Sequence, residues 1–118
     1  MLDLELTRSN DIVIVRITGS VISGREVDTV ASALEFVPED EHLVIDLGDA
    51  VEIEPSCLAD IERVLRQRSL IAEAAIVSSR PEITLQLVVH GLDRLVPVVP
   101  TVDHAAAIVR ARCGRPAA

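Results

Sequence analysis

Hydrophobic and polar positions along the first third of the chain predict a β-hairpin followed by a helix. Apolar residues alternate weakly over residues 3–7, a β-branched run covers residues 12–18, and turn-forming residues 9–11 lie between them. Residues 19–24 have the composition of a loop. From Arg25 to Phe36 the apolar residues recur at three- and four-residue spacing, which is typical of a helix with one buried face.

The middle of the chain alternates short apolar runs with a second helical pattern. Residues 42–47 form an apolar run bounded by charges and a glycine, which is typical of a strand buried on both sides. The clearest helical spacing follows over residues 58–68, and residues 74–78 predict another short strand.

Residues 82–92 fit two patterns. Their first apolar residues alternate as in a strand, whereas Ile83, Leu87 and Gly91 also fit a helix that a glycine closes. The helix is favoured because Pro81 is typical of a first helical position.

The last elements complete the prediction of the fold. Residues 97–100 allow only a very short strand, and Thr101 is expected to cap a helix that ends at about Arg110. The order β-β-α-β-α-β-α-β-α predicts one α/β domain over residues 1–111, with a flexible tail at residues 112–118. We expect a mixed sheet of about five strands with about four helices packed on it.

Two segments of the chain carry the motifs of a known domain family. In residues 42–65, HLVIDLGDAVEIEPSCLADIERVL, a strand ends in Asp-Leu and a short loop leads to the start of a helix. This segment resembles the central signature of the STAS domain family, in which an Asp-Ser-Ser/Thr-Gly-Leu element opens that helix. Residues 76–109, IVSSRPEITLQLVVHGLDRLVPVVPTVDHAAAIV, are similar to the family's second half. The resemblance extends over roughly residues 4–110 and is to anti-anti-sigma factors, the anti-sigma factor antagonists.

The resemblance implies a protein partner and a phosphorylation switch. Members of the family bind an anti-sigma factor that is also a serine kinase, and phosphorylation at the start of the second helix breaks the complex. In this chain Pro55 occupies the usual phosphoacceptor position, with Glu54 at the motif's Asp, Ser56 at its second hydroxyl residue and Cys57 at its Gly. Because proline has no hydroxyl group, the standard switch cannot operate at position 55.

A second departure from the family lies in the loop after the second strand. The family often has Gly-Glu-Leu-Asp there, whereas this chain has Gly-Ser-Val-Ile at residues 19–22, with no carboxylate. Ser56 itself has two interpretations: a displaced phosphoacceptor, or the N-cap of the second helix. The cap is favoured because a serine followed by a helical run is the common N-cap pattern.

Net charge and cysteine content narrow the classes of partner and the compartment that we expect. The net charge is −8, and all eleven cationic residues are arginine. Nucleic acid and anionic membrane surfaces are therefore unexpected partners. No apolar run reaches the length of a membrane span, and the first residues do not resemble a secretory signal. Two cysteines form neither a disulfide framework nor a metal cluster, which predicts a cytoplasmic protein.

The candidate site residues are mostly acidic. Nine carboxylates and no arginine occur between Glu39 and Glu62, which allows a divalent-metal pocket, a patch that steers a basic partner, or a solvated surface. No metal-ligand spacing is present, so neither a metal nor a cofactor is expected. We predict a partner-binding surface on residues 48–63, with loops 19–24 and 78–82 beside it. Its candidate residues are Ser23, Asp46, Asp49, Glu52, Glu54, Pro55, Ser56, Cys57, Leu58, Asp60, Ser79 and Arg80.

Three functional hypotheses follow. The first is a non-enzymatic, anti-anti-sigma-like interaction module in bacterial transcription regulation, a monomer or weak homodimer. The alternative is a phosphorylation-independent STAS subunit that docks to a transporter or a signalling scaffold, which Pro55 favours. The third is a small enzyme that uses Asp46, Glu54 and Cys57. The sequence has no glycine-rich phosphate loop and no nucleophile elbow, so no catalytic residue is expected.

Overall fold

Strands and helices alternate through the computed structural model, which describes residues 2–68 and 72–113. The strands are β1 (Leu2–Ser9), β2 (Ile12–Val21), β3 (His42–Asp46), β4 (Ala50–Ile53), β5 (Ala74–Val77) and β6 (Val98–Val99). The α-helices are α1 (Gly24–Phe36), α2 (Pro55–Arg66), α3 (Pro81–Val89) and α4 (Val102–Cys113), and a 3₁₀ turn covers Leu92–Arg94.

The six strands form one mixed sheet in the order β1-β2-β3-β5-β6. β1 and β2 are an antiparallel hairpin whose turn includes Asn10 at a φ of 57°. The remaining pairs are parallel. β4 pairs in parallel with the end of β2, beyond the point where β3 stops pairing with it. β3 and β4 therefore act as two halves of one strand along the same edge of β2.

Helices cover the two faces of the sheet unequally. Alternate residues of the strands, such as Val15 and Ile45, point into a large core with the buried faces of α1, α2 and α3. The other set, such as Val44 and Val77, packs against α4 in a smaller core. Because both faces of β3 and β5 are covered, these strands are continuous apolar runs rather than alternating ones.

The structure confirms the predicted fold class and most of the predicted elements. The opening hairpin, the helix at 25–36 and the helical interpretation of 82–92 are all present. Gly91 has a φ of +74° and follows the end of α3, as expected for a closing glycine. Thr101 Oγ1 accepts a hydrogen bond from the His104 backbone N–H at 3.1 Å, which confirms its predicted cap.

Three boundaries and one missed strand needed correction. β2 continues to Val21, into the predicted loop at 19–24, because β4 extends the sheet there. β4 itself was missed, since only two of its four residues are buried. α2 begins at Pro55 rather than at residue 58, and α4 continues to Cys113 rather than ending at about Arg110. Residues 114–118 lie outside the described residues, so the flexible tail stays a prediction.

A complete capping box starts α1. The Ser23 side chain accepts a hydrogen bond from the Glu26 backbone N–H at 3.1 Å, and Glu26 Oε1 accepts one from the Ser23 N–H at 3.1 Å. Glu26 also accepts a hydrogen bond from the Ile22 N–H. These backbone hydrogen bonds lower the pKa of Glu26. The end of β2 is thereby joined firmly to the start of α1.

Replacing Ser23 with alanine is expected to lower the free energy of unfolding by about 1 kcal/mol, because one backbone N–H of the first turn loses its acceptor. Urea denaturation followed by circular dichroism measures the change. Ser32→Ala is the matched control, since Ser32 is an exposed residue in the interior of the same helix. Equal effects of the two substitutions would contradict a specific capping role.

Candidate functional site

The predicted surface loops meet at the carboxyl ends of the parallel strands. The Gly19 N–H donates to the Asp49 carbonyl at 3.1 Å, and the Glu54 N–H donates to the Val21 carbonyl at 2.8 Å. Ser79 Oγ lies 3.5 Å from the Gly48 carbonyl oxygen. Loops 19–24, 48–54 and 78–82 therefore form one continuous edge of the molecule. In open α/β sheets this edge is where binding sites commonly lie.

Asp46, at the end of β3, has a structural role at this edge. Its Oδ1 accepts a hydrogen bond from the Gly48 N–H at 2.9 Å. A Cβ atom at Gly48 would lie 3.1 Å from that same oxygen, so glycine lets the loop close over the carboxylate. Arg16 on β2 pairs with Asp49 and approaches Asp46, with Nε 4.0 Å from Oδ2.

The fold divides the nine carboxylates between Glu39 and Glu62 into separate groups. Those before β3 lie at the amino end of that strand, where Glu41 pairs with Arg8. Those from Asp46 to Glu54 lie at the carboxyl end of β3. A five-residue strand is about 16 Å long, so the two groups are separated by about that distance. Those on α2 pair with arginines of the same helix. The acidic run is therefore not one patch.

The start of α2 differs from the sequence prediction. Glu54 is the N-cap residue, Pro55 is the first helical residue and Ser56 is the second. The prediction that Ser56 is the N-cap is wrong, because the helix begins earlier, at a proline whose missing N–H costs nothing in the first turn. The Glu54 side chain makes no capping hydrogen bond. Glu54, Pro55 and Ser56 are all exposed.

Two of the candidate partner-binding residues face the core instead of the solvent. The Cys57 side chain is 1% exposed and Leu58 is fully buried, because both lie on the apolar face of α2. Burial, with a smaller effect from the Asp60 charge, raises the pKa of Cys57 to about 12. The thiol is therefore protonated at neutral pH, and its chemistry is that of a small packing residue.

The remaining candidates occupy different positions around the edge. Ser23 is the N-cap of α1, and Asp60 is partly buried on α2, with its carboxylate 3.4 Å from Arg63 Nη2. Ser79 and Arg80 are exposed immediately before α3, and Arg80 is the N-cap residue of that helix.

An exposed apolar surface on α3 was not singled out from the sequence. Ile83 and Leu87 are buried, whereas Leu85 is 64% exposed, Val88 49% and Val89 73%. We call Leu85, Val88 and Val89 the α3 stripe. They share one side of the helix because they lie three and four residues apart. The sequence does carry a signal for this surface, because α3 contains more apolar residues than one buried helix face can hold.

A hydrogen bond joins α3 to the start of α2. Gln86 Nε2 donates to the Ile53 carbonyl at 3.1 Å, directly before Glu54. Gln86 is the chain neighbour of Leu85, and Ile53 lies between Glu52 and Glu54, so the bond brings α3 against the segment that carries these two exposed carboxylates. Together with the exposed Asp49 we call them the acidic rim. Val51 on β4 adds another exposed apolar side chain. Apolar residues beside a charged border are typical of protein-binding surfaces.

Within residues 2–68 and 72–113, no three His, Cys, Asp or Glu side chains come together as a group that could hold a metal ion. None of the helices in these two segments is long and apolar enough to cross a membrane.

Comparisons with known proteins agree with this fold. No curated protein matches the chain at a significant level. Among solved structures, an anti-sigma factor antagonist from Mycobacterium paratuberculosis superposes with a TM-score of 0.86 at 20% identity, covering 93% of this chain and 95% of the other. An anti-sigma-factor antagonist (STAS) domain protein from Planctomyces limnophilus gives 0.73 at 18% identity, covering 92% and 98%.

The unphosphorylated form of the anti-sigma factor antagonist SpoIIAA gives a TM-score of 0.64 at 13% identity, covering 95% of this chain and 98% of the other. At these identities the likeness shows the fold alone. The sequence itself matches the model of the STAS domain over residues 3–105, which is most of its length. The chain belongs to the STAS domain family.

Proposed function

We propose that this protein is a non-enzymatic interaction module that acts as an anti-sigma factor antagonist, binding an anti-sigma factor of the serine-kinase type in the bacterial cytoplasm. The observation that carries the proposal is the α3 stripe exposed beside the acidic rim at the start of α2. Its solved structural neighbours named as anti-sigma factor antagonists support the choice of partner.

The acidic rim argues for a partner with a basic surface. Asp49 is paired with Arg16, but Glu52 and Glu54 have no ion pair within the described part of the chain. The whole chain carries a net charge of −8, so the long-range field also attracts a basic protein. Such attraction raises the association rate and weakens with added salt, because exposed charges are screened.

The α3 stripe provides the apolar part of the contact. Three exposed apolar side chains on one helix face lose contact with water when a partner covers them, which favours association at roughly 25 cal/mol per Å² of apolar surface. The helix is held in place by Ile83 and Leu87 in the core. The stripe is therefore presented rigidly, and little conformational entropy is lost on binding.

Pro55 favours a second candidate function. The residue is exposed at the first position of α2, where the family's phosphoacceptor would lie, and it has no hydroxyl group. A subunit without this switch suits permanent docking to a transporter or a signalling scaffold, and the same surface would serve. In both cases the complex is insensitive to phosphorylation at position 55.

Catalysis is not part of the proposal. Burial keeps the Cys57 thiol protonated, and Asp46 is engaged by the Gly48 N–H and approached by Arg16.

Affinity capture with the full chain as bait, followed by mass spectrometry, identifies the partner. Recovery of an anti-sigma factor with a kinase domain, confirmed by direct titration of the two purified proteins, is the expected result. Recovery of a transporter or scaffold subunit that binds directly and ignores ATP would favour the second function. Binding that requires no residue of the acidic rim or the α3 stripe would contradict both.

Restoring the phosphoacceptor with Pro55→Ser is expected to make the complex sensitive to ATP. The partner kinase should add one phosphate group to this variant, and the new charge beside Glu54 should weaken binding at least about tenfold. Wild type and Pro55→Ala should show neither effect, which separates the new hydroxyl from the loss of proline. Intact-mass measurement and titration calorimetry give the two readouts. ATP-dependent release of the wild-type protein with phosphate on Ser56 would show that a displaced switch exists.

A further inference from the structure

Two adjoining grooves lie at the end of α2 that is remote from the acidic rim. The larger has a volume of about 300 Å³ and lies between the end of α2, the start of β5 and the end of α4. The smaller, of about 240 Å³, lies between the 3₁₀ turn, the start of β6 and the same end of α4. Leu95, Val96 and Arg112 line both, so the two form one surface, which we call the basic groove.

The floor of the basic groove is apolar and accessible to solvent. Leu65, Leu95 and Val96 line it and pack against the large core, but all three are only partly buried. An apolar group seated on them removes their exposed surface from water, which favours binding. The volume of the larger groove is at the lower end of the range for small-molecule sites, which begins at about 300 Å³. The groove therefore suits a small ligand.

The walls of the basic groove are cationic, although the chain has a net charge of −8. Four of the eleven arginines line it, from α2, the segment after it, the 3₁₀ turn and α4: Arg66, Arg68, Arg94 and Arg112. The carboxylates among the described residues of its lining are those of Glu73 and Asp93. The lining thus has an excess of positive charge on an acidic protein, and this excess favours an anion.

The N–H groups of these arginines are only partly used within the described residues. Arg66 Nε donates to Glu62 Oε2 at 3.0 Å. Arg112 Nη1 lies 3.8 Å from Glu73 Oε2, which is beyond hydrogen-bond distance. Arg94 forms no ion pair with another residue of the two described segments. Because each guanidinium has five N–H donors, several remain available for carboxylate or phosphate oxygens.

Attraction to the ends of helices explains these arginines only in part. Arg66 and Arg112 lie in the last turns of α2 and α4, where a positive charge is favourable in any protein. That effect does not require two helices and a 3₁₀ turn to bring their arginines to one groove. It also provides no acceptor for Arg68 Nε, which is buried without a hydrogen-bond partner among the described residues. A buried donor without an acceptor is uncommon, and a bound anion can supply one.

We propose that the basic groove binds a small amphiphilic anion, in which a phosphate or carboxylate group is attached to a short apolar body. The anionic group lies between Arg94 and Arg112, and the apolar body lies on the floor of the groove. Both parts are needed, because exposed arginines alone bind anions weakly in water. The groove lies about 18 Å from Glu54, along the twelve residues of α2. The inference is therefore independent of the proposed function.

NMR titration of isotope-labelled protein tests the site with four probes. Hexyl phosphate and heptanoate carry the two kinds of anionic group, and the tighter ligand identifies the preferred group. At least one is expected to bind saturably, with a dissociation constant at or below about 1 mM, and to shift the methyl signals of Leu65, Leu95 and Val96. Inorganic phosphate and hexanol each lack one of the two parts and should bind at least about tenfold more weakly.

Arginine variants separate a specific site from general attraction of anions. Arg94→Gln and Arg112→Gln should each raise the dissociation constant of the tighter ligand at least about fivefold, because a charged donor is lost. Arg25→Gln is the matched control, since it makes the same charge change at an exposed position at the start of α1. It should leave the dissociation constant within about twofold. All three variants should keep the wild-type melting temperature, because these side chains are exposed.

Four results would overturn the proposal. The first is the absence of saturable binding of both anionic ligands up to about 10 mM. The second is binding of hexanol as tight as that of the anions, and the third is a set of shifts confined to other methyl groups. The fourth is an equal loss of affinity in Arg94→Gln, Arg112→Gln and Arg25→Gln, which indicates attraction by net charge alone.

Discussion

Replacing Ile45 with alanine is expected to lower the free energy of unfolding by about 3–4 kcal/mol. Ile45 is fully buried at the centre of β3, with β2 on one side and β5 on the other. The substitution removes three carbon atoms and leaves a cavity. Many of the surrounding side chains are β-branched and stiff at χ1, so they relax little into the space. The loss of stability should therefore lie above the low end of the usual range for Ile→Ala, which is about 2–5 kcal/mol.

Such a loss is large beside the total stability of a domain of this size, which is roughly 5–15 kcal/mol. Urea denaturation followed by circular dichroism is the suitable measurement, since the chain lacks the Trp and Tyr needed for intrinsic fluorescence. Ile45→Val should cost only about 1 kcal/mol. Val51→Ala, an exposed position on β4, should change stability by less than about 0.5 kcal/mol. Equal midpoints for Ile45→Ala and Ile45→Val would contradict a tightly packed central strand.

Replacing Leu85 with arginine is expected to weaken binding of the partner protein at least about 100-fold. The substitution removes an apolar contact from the α3 stripe and places a positive charge where a basic partner is proposed to lie. Leu85 is 64% exposed and arginine has a helix propensity close to that of leucine, so the fold should be unaffected. Titration calorimetry with the purified partner, at two salt concentrations, measures the loss.

The matched control is Phe36→Arg, which also replaces an exposed apolar side chain with arginine. Phe36 lies at the carboxyl end of α1, whereas the acidic rim lies at the start of α2. It should leave partner binding within about twofold of wild type, because the proposed docking surface does not include it. An equal loss in both variants would indicate a general effect of net charge. Unchanged binding by Leu85→Arg would exclude the α3 stripe from the interface.

The order of the elements could be predicted from the sequence because it depends on local periodicity. The β-branched run at 12–18 and the apolar run at 42–47 indicate strands in any context. β4 could not be predicted in this way. Its residues Ala50–Ile53 become a strand only because the end of β2 offers unpaired backbone groups alongside them.

The meeting of the three predicted loops could be predicted for the same reason, whereas their role in binding a partner stays a prediction. Sequence order alone brings the three loops to one edge, since parallel strands with helical crossovers place their carboxyl ends together. The burial of Cys57 and Leu58 follows from their place on the apolar face of α2, with Ile61 and Val64. The position of Ser56 depends instead on which residue begins the helix.

The sequence by itself therefore determined the fold class, the family and the lack of a hydroxyl group at position 55. The fold class and the family follow from patterns along the chain, and the lack of a hydroxyl group is a property of proline in any fold. Only the tertiary structure decided that Leu85 and Phe36 face solvent. Exposure depends on what packs against a side chain, and those neighbours come from segments distant along the chain.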